Sequence, residues 1–523
     1  MKKNLSLLGI AAGALLQACY EDKGNYDYIP ANEVIITMPA ASVNANMGDT
    51  LYYTPAIAFA NPADTTGFEY WWEYTGDGTL DHHEVICEGR ELRFMPRLVG
   101  QQYVQLCVKE PRTSTITTAS MGIYGGSLYT KGWLILREEN GESKLSFVRP
   151  DRLVPGDATS ERRYVPDVDL YGRLFPGESL GGGPVALRQA FSYLGTLSIF
   201  YVLQERDPAC LNGVSYAKEI LLAREFVGDA PAGFSPRDYY QGNYSCMVLD
   251  AGGNAYHRCP PSGPYTNFFV YSFANFPVEY QGRPLKIDRI VPSLAEKVYF
   301  YAVLDKENGR LLWVRAGNAN NSGGMLPSAI TADGEYLDYN DTGDAEILHS
   351  AFYNEESSSG VTYYLTLYTK NGNARVQRCR VTGGSIISTA IALPVNEVQN
   401  AVFPAQPALS PATKYHQLKT RPYLFFSTGN RLYWYDHTGT YRLFYTFPPG
   451  EEIVDMDANP QESELGVVSS GGKFVTLNIE NEYLMGNDNK IYEITLPGRI
   501  VDLEYKFPNY NTYLNRTSTA NWD

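Results

Sequence analysis

The sequence predicts an all-β protein in which an N-terminal β-sandwich is followed by a β-propeller. Aromatic residues make up 13% of the 523 residues, with 41 Tyr against 9 Met, and this composition favours strands over helices. A chain of this length exceeds one ordinary hydrophobic core, so two or more domains are expected. A strand–turn–strand unit that recurs along the C-terminal part indicates a repeat architecture.

The first residues have the pattern of an export signal. Lys2 and Lys3 precede an apolar run from Leu5 to Leu16, which is too short to span a bilayer, since a spanning helix needs roughly 20 residues. The following Leu16-Gln17-Ala18-Cys19 resembles the bacterial lipobox. The resemblance implies that residues 1–18 are a lipoprotein signal peptide and that Cys19 becomes an acylated N-terminus. The alternative is an ordinary signal peptide with a chance Cys.

Residues 19–31 form a polar tether rich in Tyr, Asp and Asn. Its start, Tyr20-Glu21-Asp22-Lys23, resembles the surface-export signal of lipoproteins in the Bacteroidota, and the position after Cys19 is not Asp. The resemblance implies an outer-membrane protein that is held by its lipid and faces the cell exterior.

Residues 32–124 contain short alternating strands, which we expect at 34–37, 50–53, 68–74, 91–94 and 103–108. This spacing, with Trp71 and Trp72 on a middle strand, is typical of an immunoglobulin-like sandwich whose Trp fills the core.

Two stretches of this region resemble PKD domains. Trp72-Glu73-Tyr74-Thr75-Gly76-Asp77-Gly78 is similar to their W-x-F-G-D-G signature, with Thr75 inserted and Tyr74 in place of Phe, and the Gly100 to Val108 stretch resembles their late strand. Together with the lipobox and Lys131–Leu136, the chain resembles the PKD-like family lipoproteins of Bacteroidota. The resemblance implies a product of a nutrient-uptake locus, encoded beside a TonB-dependent porin and its lid lipoprotein.

From residue 127 to residue 507 a hairpin recurs about every 55 residues, which leaves room for a four-stranded propeller blade per unit. Seven blades are predicted, with six or eight as alternatives. The segment Ile491–Lys506 is expected to help close the ring, and residues 508–523 to form a polar tail. The seven hairpins are Leu134–Val148, Leu197–Leu222, Cys246–Cys259, Val303–Val314, Tyr364–Val376, Tyr423–Tyr435 and Leu465–Leu477.

The cysteines suggest two disulfides, because an exported chain meets an oxidising compartment. A two-residue turn at Gly252-Gly253 would place Cys246 and Cys259 opposite each other at a non-hydrogen-bonded site, where Cβ atoms approach closely. Cys87 with Cys107 is a weaker second candidate.

Other motifs predict turns and loops rather than chemistry. We expect a solvated loop at Asp81-His82-His83-Glu84, a turn at Asp338–Asp344, and a loop over one propeller face at Gly181-Gly182-Gly183 with a lid at 167–175. Nucleophile motifs are missing from the sequence. Hence no catalytic residue, metal site or cofactor is predicted.

The net charge of −15 argues against nucleic-acid binding, which needs clustered Lys and Arg. The leading hypothesis is a non-catalytic surface lipoprotein that binds a glycan, a peptide or a partner of an uptake complex. One alternative is a propeller glycoside hydrolase, for which two or three carboxylates should converge on one point. Another is a purely structural subunit of a porin complex.

Overall fold

The computed structural model describes most of the chain from residue 31 to residue 507. The described residues are 31–39, 42–76, 83–153, 160–191, 198–241, 246–258, 272–292, 294, 300–315, 324–330, 335–355, 361–381, 393–486 and 489–507. They divide into two compact units, with the boundary between Gly125 and Gly126. Both units are built from strands, which is the predicted fold class.

The first unit has nine strands in three sheets. The largest sheet has the order β2-β9-β8-β5-β6, and two-stranded sheets pair β1 with β4 and β3 with β7. The strands are β1 Val34–Thr37, β2 Val43–Asn46, β3 Leu51–Tyr53, β4 Ala56–Phe59, β5 Glu69–Tyr74, β6 Glu84–Glu88, β7 Leu92–Phe94, β8 Gly100–Lys109 and β9 Ile116–Gly126.

Trp72 occupies the core of the first unit, as predicted. Its side chain is fully buried among Tyr74, Leu92, Phe94 and Leu106, and its Nε1 donates to the carbonyl of Arg90 at 3.3 Å. Alternation along β5 places Trp72 and Tyr74 in the core and sends Trp71 and Glu73 to the opposite face of the sheet. The indole therefore supplies a large part of the apolar surface that this small unit buries.

Among its described residues, the second unit contains seven larger sheets of three to five strands, which are consecutive in the chain apart from one strand. We number them as blades 1 to 7. From the innermost strand outward, blade 1 consists of β39 Arg499–Lys506, β10 Gly132–Glu139, β11 Glu142–Arg152 and β12 Arg162–Asp167, blade 2 of β13 Gly182–Phe191, β14 Ser198–Arg206, β15 Ala209–Asn212 and β16 Lys218–Leu221, and blade 3 of β17 Pro236–Gln241, β18 Cys246–Asp250 and β19 Ala255–Arg258. Blade 4 consists of β22 Ile287–Val291, β23 Phe300–Asp305, β24 Arg310–Arg315 and β25 Gly324–Leu326, and blade 5 of β27 Glu346–Asn354, β28 Thr362–Lys370, β29 Asn373–Val381 and β30 Leu393–Val402. Blade 6 consists of β31 Tyr415–Gln417, β32 Leu424–Thr428, β33 Arg431–Tyr435 and β34 Tyr441–Thr446, and blade 7 of β35 Ile453–Ala458, β36 Glu464–Ser469, β37 Lys473–Asn478 and β38 Lys490–Thr495.

The innermost strands of the seven blades contact one another in a closed cycle. β39 contacts β13, and the contacts then run through β17, β22, β27, β31 and β35 back to β39. A closed cycle of seven sheets is a seven-bladed propeller, so the predicted architecture is confirmed.

The C-terminal strand closes the ring. β39 pairs antiparallel with β10 from Gly132↔Lys506 to Glu138↔Arg499, so the two ends of the unit share blade 1. Arg137, which is fully buried, donates to the carbonyl of Val168 at 2.6 Å and to that of Pro497. Because Pro497 lies just before β39, this cation fixes the closing strand to blade 1.

A few elements lie outside the blade pattern. The short strand β26 Ser328–Ile330 adds to the outer edge of blade 5 and is parallel to β30. β20 Glu279–Tyr280 and β21 Arg283–Pro284 form a small hairpin, and the short helices are α1 Leu170–Leu174, a 3₁₀ turn Leu222–Glu225 and α2 Asn481–Leu484.

The predicted hairpins are the second and third strands of the blades. Six turn near the expected glycines, and in blade 2 the turn lies instead at Asp207-Pro208, between β14 and β15. Gly213 lies one connection later. The turn predicted around Gly213 is therefore the connection between β15 and β16 and not the turn of the hairpin.

Two loop predictions are wrong. Gly182 and Gly183 begin β13, the innermost strand of blade 2. A Cβ at Gly182 would meet the Arg206 side chain and the Gly141 carbonyl, so this position is closely packed. The expected lid contains α1, whose side chains Leu170 and Tyr171 are buried. Both segments are therefore parts of the packed ring.

Candidate functional site

The innermost strand of each blade has one edge without a strand partner, facing the central axis. Its backbone groups need other partners, because unpaired buried amides and carbonyls are costly. In blade 1, carboxylates of blade 7 satisfy the edge: the Leu503 N–H donates to Asp455 at 3.0 Å, and the Tyr505 N–H donates to Asp457 at 2.7 Å.

Carboxylates of blade 1 likewise accept backbone amides of the innermost strand of blade 2. The Leu187 N–H donates to Asp502 at 2.7 Å, and the Gln189 N–H donates to Glu504 at 2.7 Å. Both acidic pairs, Asp455 with Asp457 and Asp502 with Glu504, have i, i+2 spacing, which places both members on one face of a strand. These residues were missed in the sequence, although this spacing of acids within an apolar strand was a usable signal.

Arginines make the equivalent links elsewhere in the ring. Arg237 of blade 3 donates to the carbonyl of Ile287 in blade 4 at 2.8 Å, and Arg289 of blade 4 donates to that of Leu348 in blade 5 at 2.6 Å. Side chains of one blade thus satisfy the backbone of the next around much of the central axis.

Arg188 of blade 2 lies among three carboxylates, two of which are the acidic pair of blade 1. Its guanidinium donates to Asp238 of blade 3 at 2.8 Å and to Asp502 at 2.7 Å, and it lies 3.9 Å from Glu504. The cluster therefore joins blades 1, 2 and 3 through one cation.

Asp455 and Asp502 converge on one atom, since both accept the Leu503 N–H, at 3.0 Å and 3.1 Å. Burial, and then repulsion by Asp502, raise the pKa of Asp455 well above its usual range. Burial likewise raises the pKa of Glu504. The proximity of Asp502 therefore favours a proton on Asp455, which the two side chains share through a hydrogen bond.

This convergence is the geometric condition set for the hydrolase alternative. However, both oxygens of Asp502 accept backbone amides, and one of them also binds Arg188. Asp455 is itself bound to the closing strand through Leu503. We therefore assign the axial carboxylates to the stability of the ring.

In the blades whose four strands follow one another in the chain, the connection between the first and second strands and the connection between the third and fourth strands lie at the same end, and we call this end of the propeller the lower face. A cavity of about 660 Å³ lies on the lower face. Its volume is typical of small-molecule sites, which span roughly 300–1,000 Å³. Connections from blades 6, 7 and 1 form it. The lining residues are Arg152, Arg162, Thr420, Arg421, Gln461, Glu462, Ser463, Glu480, Asn481 and Glu482.

Glu462 is the structural centre of the cavity wall. Its buried carboxylate accepts the Lys419 and Thr420 amides, and it accepts the Thr420 hydroxyl at 2.6 Å. Its backbone has a positive φ of 53°, which an Asn or Gly adopts more easily. The carboxylate thus joins the connection of blade 7 to that of blade 6.

Arg421 fixes the next part of the wall. It donates to the Ile479 carbonyl at 2.9 Å, to the Asn481 Oδ1 at 3.1 Å and to the Glu462 carbonyl. On the blade 1 side, Arg162 pairs with the buried Glu464. Charged pairs therefore preform the walls.

The cavity can bind a ligand through many hydrogen bonds. Every lining side chain is polar, and guanidinium, amide, hydroxyl and carboxylate groups all occur. The set supplies both donors and acceptors, which is the requirement for a ligand that carries many hydroxyl groups. No local pattern in the sequence indicates this cavity, because its lining residues come from connections far apart in the chain.

The sequence-predicted lipid site, Cys19, lies outside the described residues. So does Cys259, whose proposed partner Cys246 is a free, buried thiol. The predicted register is wrong by one residue, because Arg258 lies opposite Cys246. Asp250 accepts the backbone N–H of Asn254 at 2.9 Å and closes a three-residue loop, so the two-residue turn behind the disulfide argument does not form.

The pairing of Cys87 with Cys107 is also corrected, since both are free thiols. Cys87 lies opposite Trp72 and Cys107 opposite Trp71, on strands that flank β5 from either side. Neighbours on a strand point to opposite faces, so the two sulfurs lie on different faces of the sheet and two strands apart.

The other candidate motifs hold turns or ion pairs. In the Asp81–Glu84 stretch the first two residues lie outside the described part; His83 contacts Glu73 at 2.9 Å, and Glu84 pairs with Arg97. Asp338 and Asp341 accept the backbone amides of Asn340 and Gly343, as in an ordinary turn. The aromatic runs at Phe200-Tyr201 and Tyr433-Trp434-Tyr435 are buried, as expected for most aromatic residues.

Across the described ranges, no group of three or more His, Cys, Asp and Glu side chains could hold a metal ion. Nor does any helix in those ranges have the length and apolar character needed to cross a membrane.

The shared proton predicts a stability that depends on pH. An acid whose pKa is raised by folding binds its proton more tightly in the folded state, so stability falls as pH rises through the folded pKa. Asp455→Asn cannot ionise, and urea unfolding between about pH 5 and about pH 9 should show its advantage over the parent growing with pH. Asp344→Asn, on an exposed turn, is the control. An advantage that does not change with pH would contradict the shared proton.

The free thiols predict a selective labelling pattern. Burial raises the pKa of Cys107 and of Cys210 to about 12 and that of Cys379 to about 11, so these thiols stay protonated and unreactive. With iodoacetamide on the native protein, mass spectrometry should find Cys87 alkylated well before these three and before Cys246. Rapid native alkylation of Cys107 would overturn the packing of the first unit.

The first unit and first blade also match a known family model. The PKD-like family model matches residues 19–184, which is less than half of the chain. No curated protein matches the sequence.

Several solved structures are similar over most of their length. A quinonprotein alcohol dehydrogenase-like protein from Bacteroides thetaiotaomicron is 12% identical, with a TM-score of 0.46, and the match covers 90% of this chain and 95% of that one. Dihydro-heme d1 dehydrogenase NirN is 9% identical, with a TM-score of 0.36, and the match covers 86% of this chain and 76% of that one. A β-propeller domain from Myceliophteria thermophila is 8% identical, with a TM-score of 0.35, and the match covers 62% of this chain and 90% of that one. With TM-scores below 0.5, these similarities define neither a family nor an activity. A PKD-like region followed by a propeller fits, in general terms, an accessory or binding protein.

Proposed function

We propose that this chain is a lipid-anchored protein of the outer-membrane surface that binds a glycan without cleaving it, as an accessory component of nutrient uptake. The lipobox ending at Cys19 and the acidic residues behind it support the anchor and the outward orientation. The match to the PKD-like family model begins at Cys19, the residue expected to be the mature N-terminus.

The observation that carries the binding role is the lower-face cavity. Its lining residues all carry hydrogen-bonding side chains and none is aromatic, which favours a hydroxyl-rich ligand over a peptide, since peptide sites gain much of their affinity from apolar and aromatic side chains. Preformed ion pairs such as Arg162 with Glu464 reduce the ordering that a ligand must impose.

The role of the axial carboxylates supports a non-catalytic function. A glycosidase needs one carboxyl group as acid and a second as base or nucleophile, both available to substrate. Asp455 and Asp502 are bound to backbone amides, and Asp502 also to Arg188. The hydrolase alternative would need other residues.

Nutrient uptake implies a partner in the same membrane. The resemblance to PKD-like family lipoproteins points to a TonB-dependent porin, and a purely structural role in that complex is the competing proposal. Co-purification with a porin would support either role, whereas glycan binding by the isolated protein favours the first.

The cavity is tested with the soluble form that begins at Tyr20. We expect a glycan array to give binding, and calorimetry with the best glycan to show a loss of about 5–10-fold for Asn481→Ala, the effect of about one hydrogen bond. Asn373→Ala, an exposed amide in blade 5, is the matched control. Retention of peptides alone would favour the peptide alternative, and release of shortened glycan would favour the hydrolase.

The anchor is tested by replacing its attachment residue. In cells fed labelled palmitate, the parent should incorporate label and partition with membranes, and Cys19→Ser should do neither, because a single thiol carries the lipid. Added protease should degrade the parent on intact cells. Protection until the outer membrane is broken would contradict the outward orientation.

A further inference from the structure

The large sheet of the first unit has one face in the core and one facing outward. On β5 the outward residues are Glu69, Trp71 and Glu73, and the register places Cys107 opposite Trp71 and Gln105 opposite Glu73 on β8. Trp71 therefore lies on the face that the core does not use. Within the described residues it is the only tryptophan that is not fully buried.

The contacts of Trp71 place its indole along the outward face of the sheet. Cys107 points outward yet is only 2% exposed, so neighbouring side chains cover it; Trp71 is its direct cross-strand partner, and Glu73 also contacts the thiol. The Nε1 of Trp71 also donates to the Glu73 Oε1 at 2.8 Å. Since Glu73 lies two residues farther along β5, this bond requires the ring to lean along the strand.

Planar polar groups flank the ring. The Glu73 Oε2 accepts from the Gln105 Nε2 at 2.7 Å and lies 2.9 Å from the His83 Nδ1. These bonds, after the opposing effect of burial, lower the pKa of Glu73, so the carboxylate is charged and its position is fixed. The Gln105 Oε1 has no partner among the described residues, so it remains an acceptor for a ligand.

The flanks of this face are exposed to solvent among the described residues. Val85, opposite Glu73 on β6, is 58% exposed, and Ile116, opposite Lys109 on β9, is 51% exposed. They lie on opposite sides of the Trp71 pair, and Trp71 itself is partly exposed.

We propose that Trp71, with Glu73, Gln105 and His83, forms a second glycan-binding surface on which a pyranose ring stacks. A sugar ring has an apolar face of C–H groups, which packs on an indole, and equatorial hydroxyl groups, which bond to planar amides, imidazoles and carboxylates at the ring edge. A flat, fixed indole loses little entropy on binding. The proposal rests on the glycan-binding function proposed above and adds a site in the first unit.

The test uses the soluble chain that begins at Tyr20 and affinity electrophoresis in gels containing soluble polysaccharides, among them a starch, a xylan and a mannan. We expect the polysaccharide that retards the parent to retard Trp71→Ala about tenfold less, while Trp71→Phe keeps an intermediate affinity because a smaller ring still stacks. Tyr52→Ala, which removes an exposed aromatic from the separate β3–β7 sheet, should behave as the parent.

A second readout separates stacking from damage to the fold. Four other tryptophans, at positions 72, 133, 313 and 434, are buried, and Trp522 lies outside the described residues. In a Trp522→Phe background, a change in tryptophan fluorescence on adding the retarding polysaccharide should be lost when Trp71→Phe is added. Equal retardation of parent and Trp71→Ala would overturn this surface and leave the cavity as the binding site. No retardation or array binding of the parent would overturn the proposed function, and this surface with it.

Discussion

The propeller depends on the pairing of its last strand with its first. Blades bury their faces only against neighbours, so an open ring would expose two blade faces to water. The β39–β10 ladder removes this exposure, and two buried cations hold it: Arg137 binds the Pro497 carbonyl, and Lys506 donates to the Tyr129 carbonyl at 2.5 Å. Burial lowers the pKa of Lys506 to about 7, because the ammonium group is withdrawn from water. The chain ends of the unit are therefore part of its core.

The same requirement explains the charged residues around the axis. Seven inner strands meet with an unpaired edge each, and water is the only alternative partner for their backbone groups. Asp455, Asp502 and Glu504 supply acceptors, and Arg237 and Arg289 supply donors, each from the preceding blade. The result resembles a catalytic cluster in composition, but the bonding partners are amides and carbonyls. A close pair of carboxylates is thus weak evidence for hydrolysis unless their oxygens are available to substrate.

The two proposed glycan surfaces differ in chemistry. The lower-face cavity offers hydrogen bonds from many charged and amide side chains, whereas the Trp71 surface offers one aromatic ring with a few polar groups at its edge. Weak sites of this kind gain affinity for a long, repetitive ligand when two of them bind it together.

Local patterns in the sequence determined much of the fold. Alternation placed Trp72 in a sandwich core, and the spacing of hairpins, with Ile491–Lys506 as the closing segment, predicted seven blades, because period and turn residues are properties of neighbouring residues. Tertiary structure alone decided the register at Gly252-Gly253, where an Asp250 side chain closed a longer loop and separated Cys246 from the expected partner position. It also decided the sites, since Glu462 meets Thr420, and Asp502 meets Leu187, only after the ring has closed. Contacts between residues distant in the chain depend on how whole blades pack, and no local pattern encodes them.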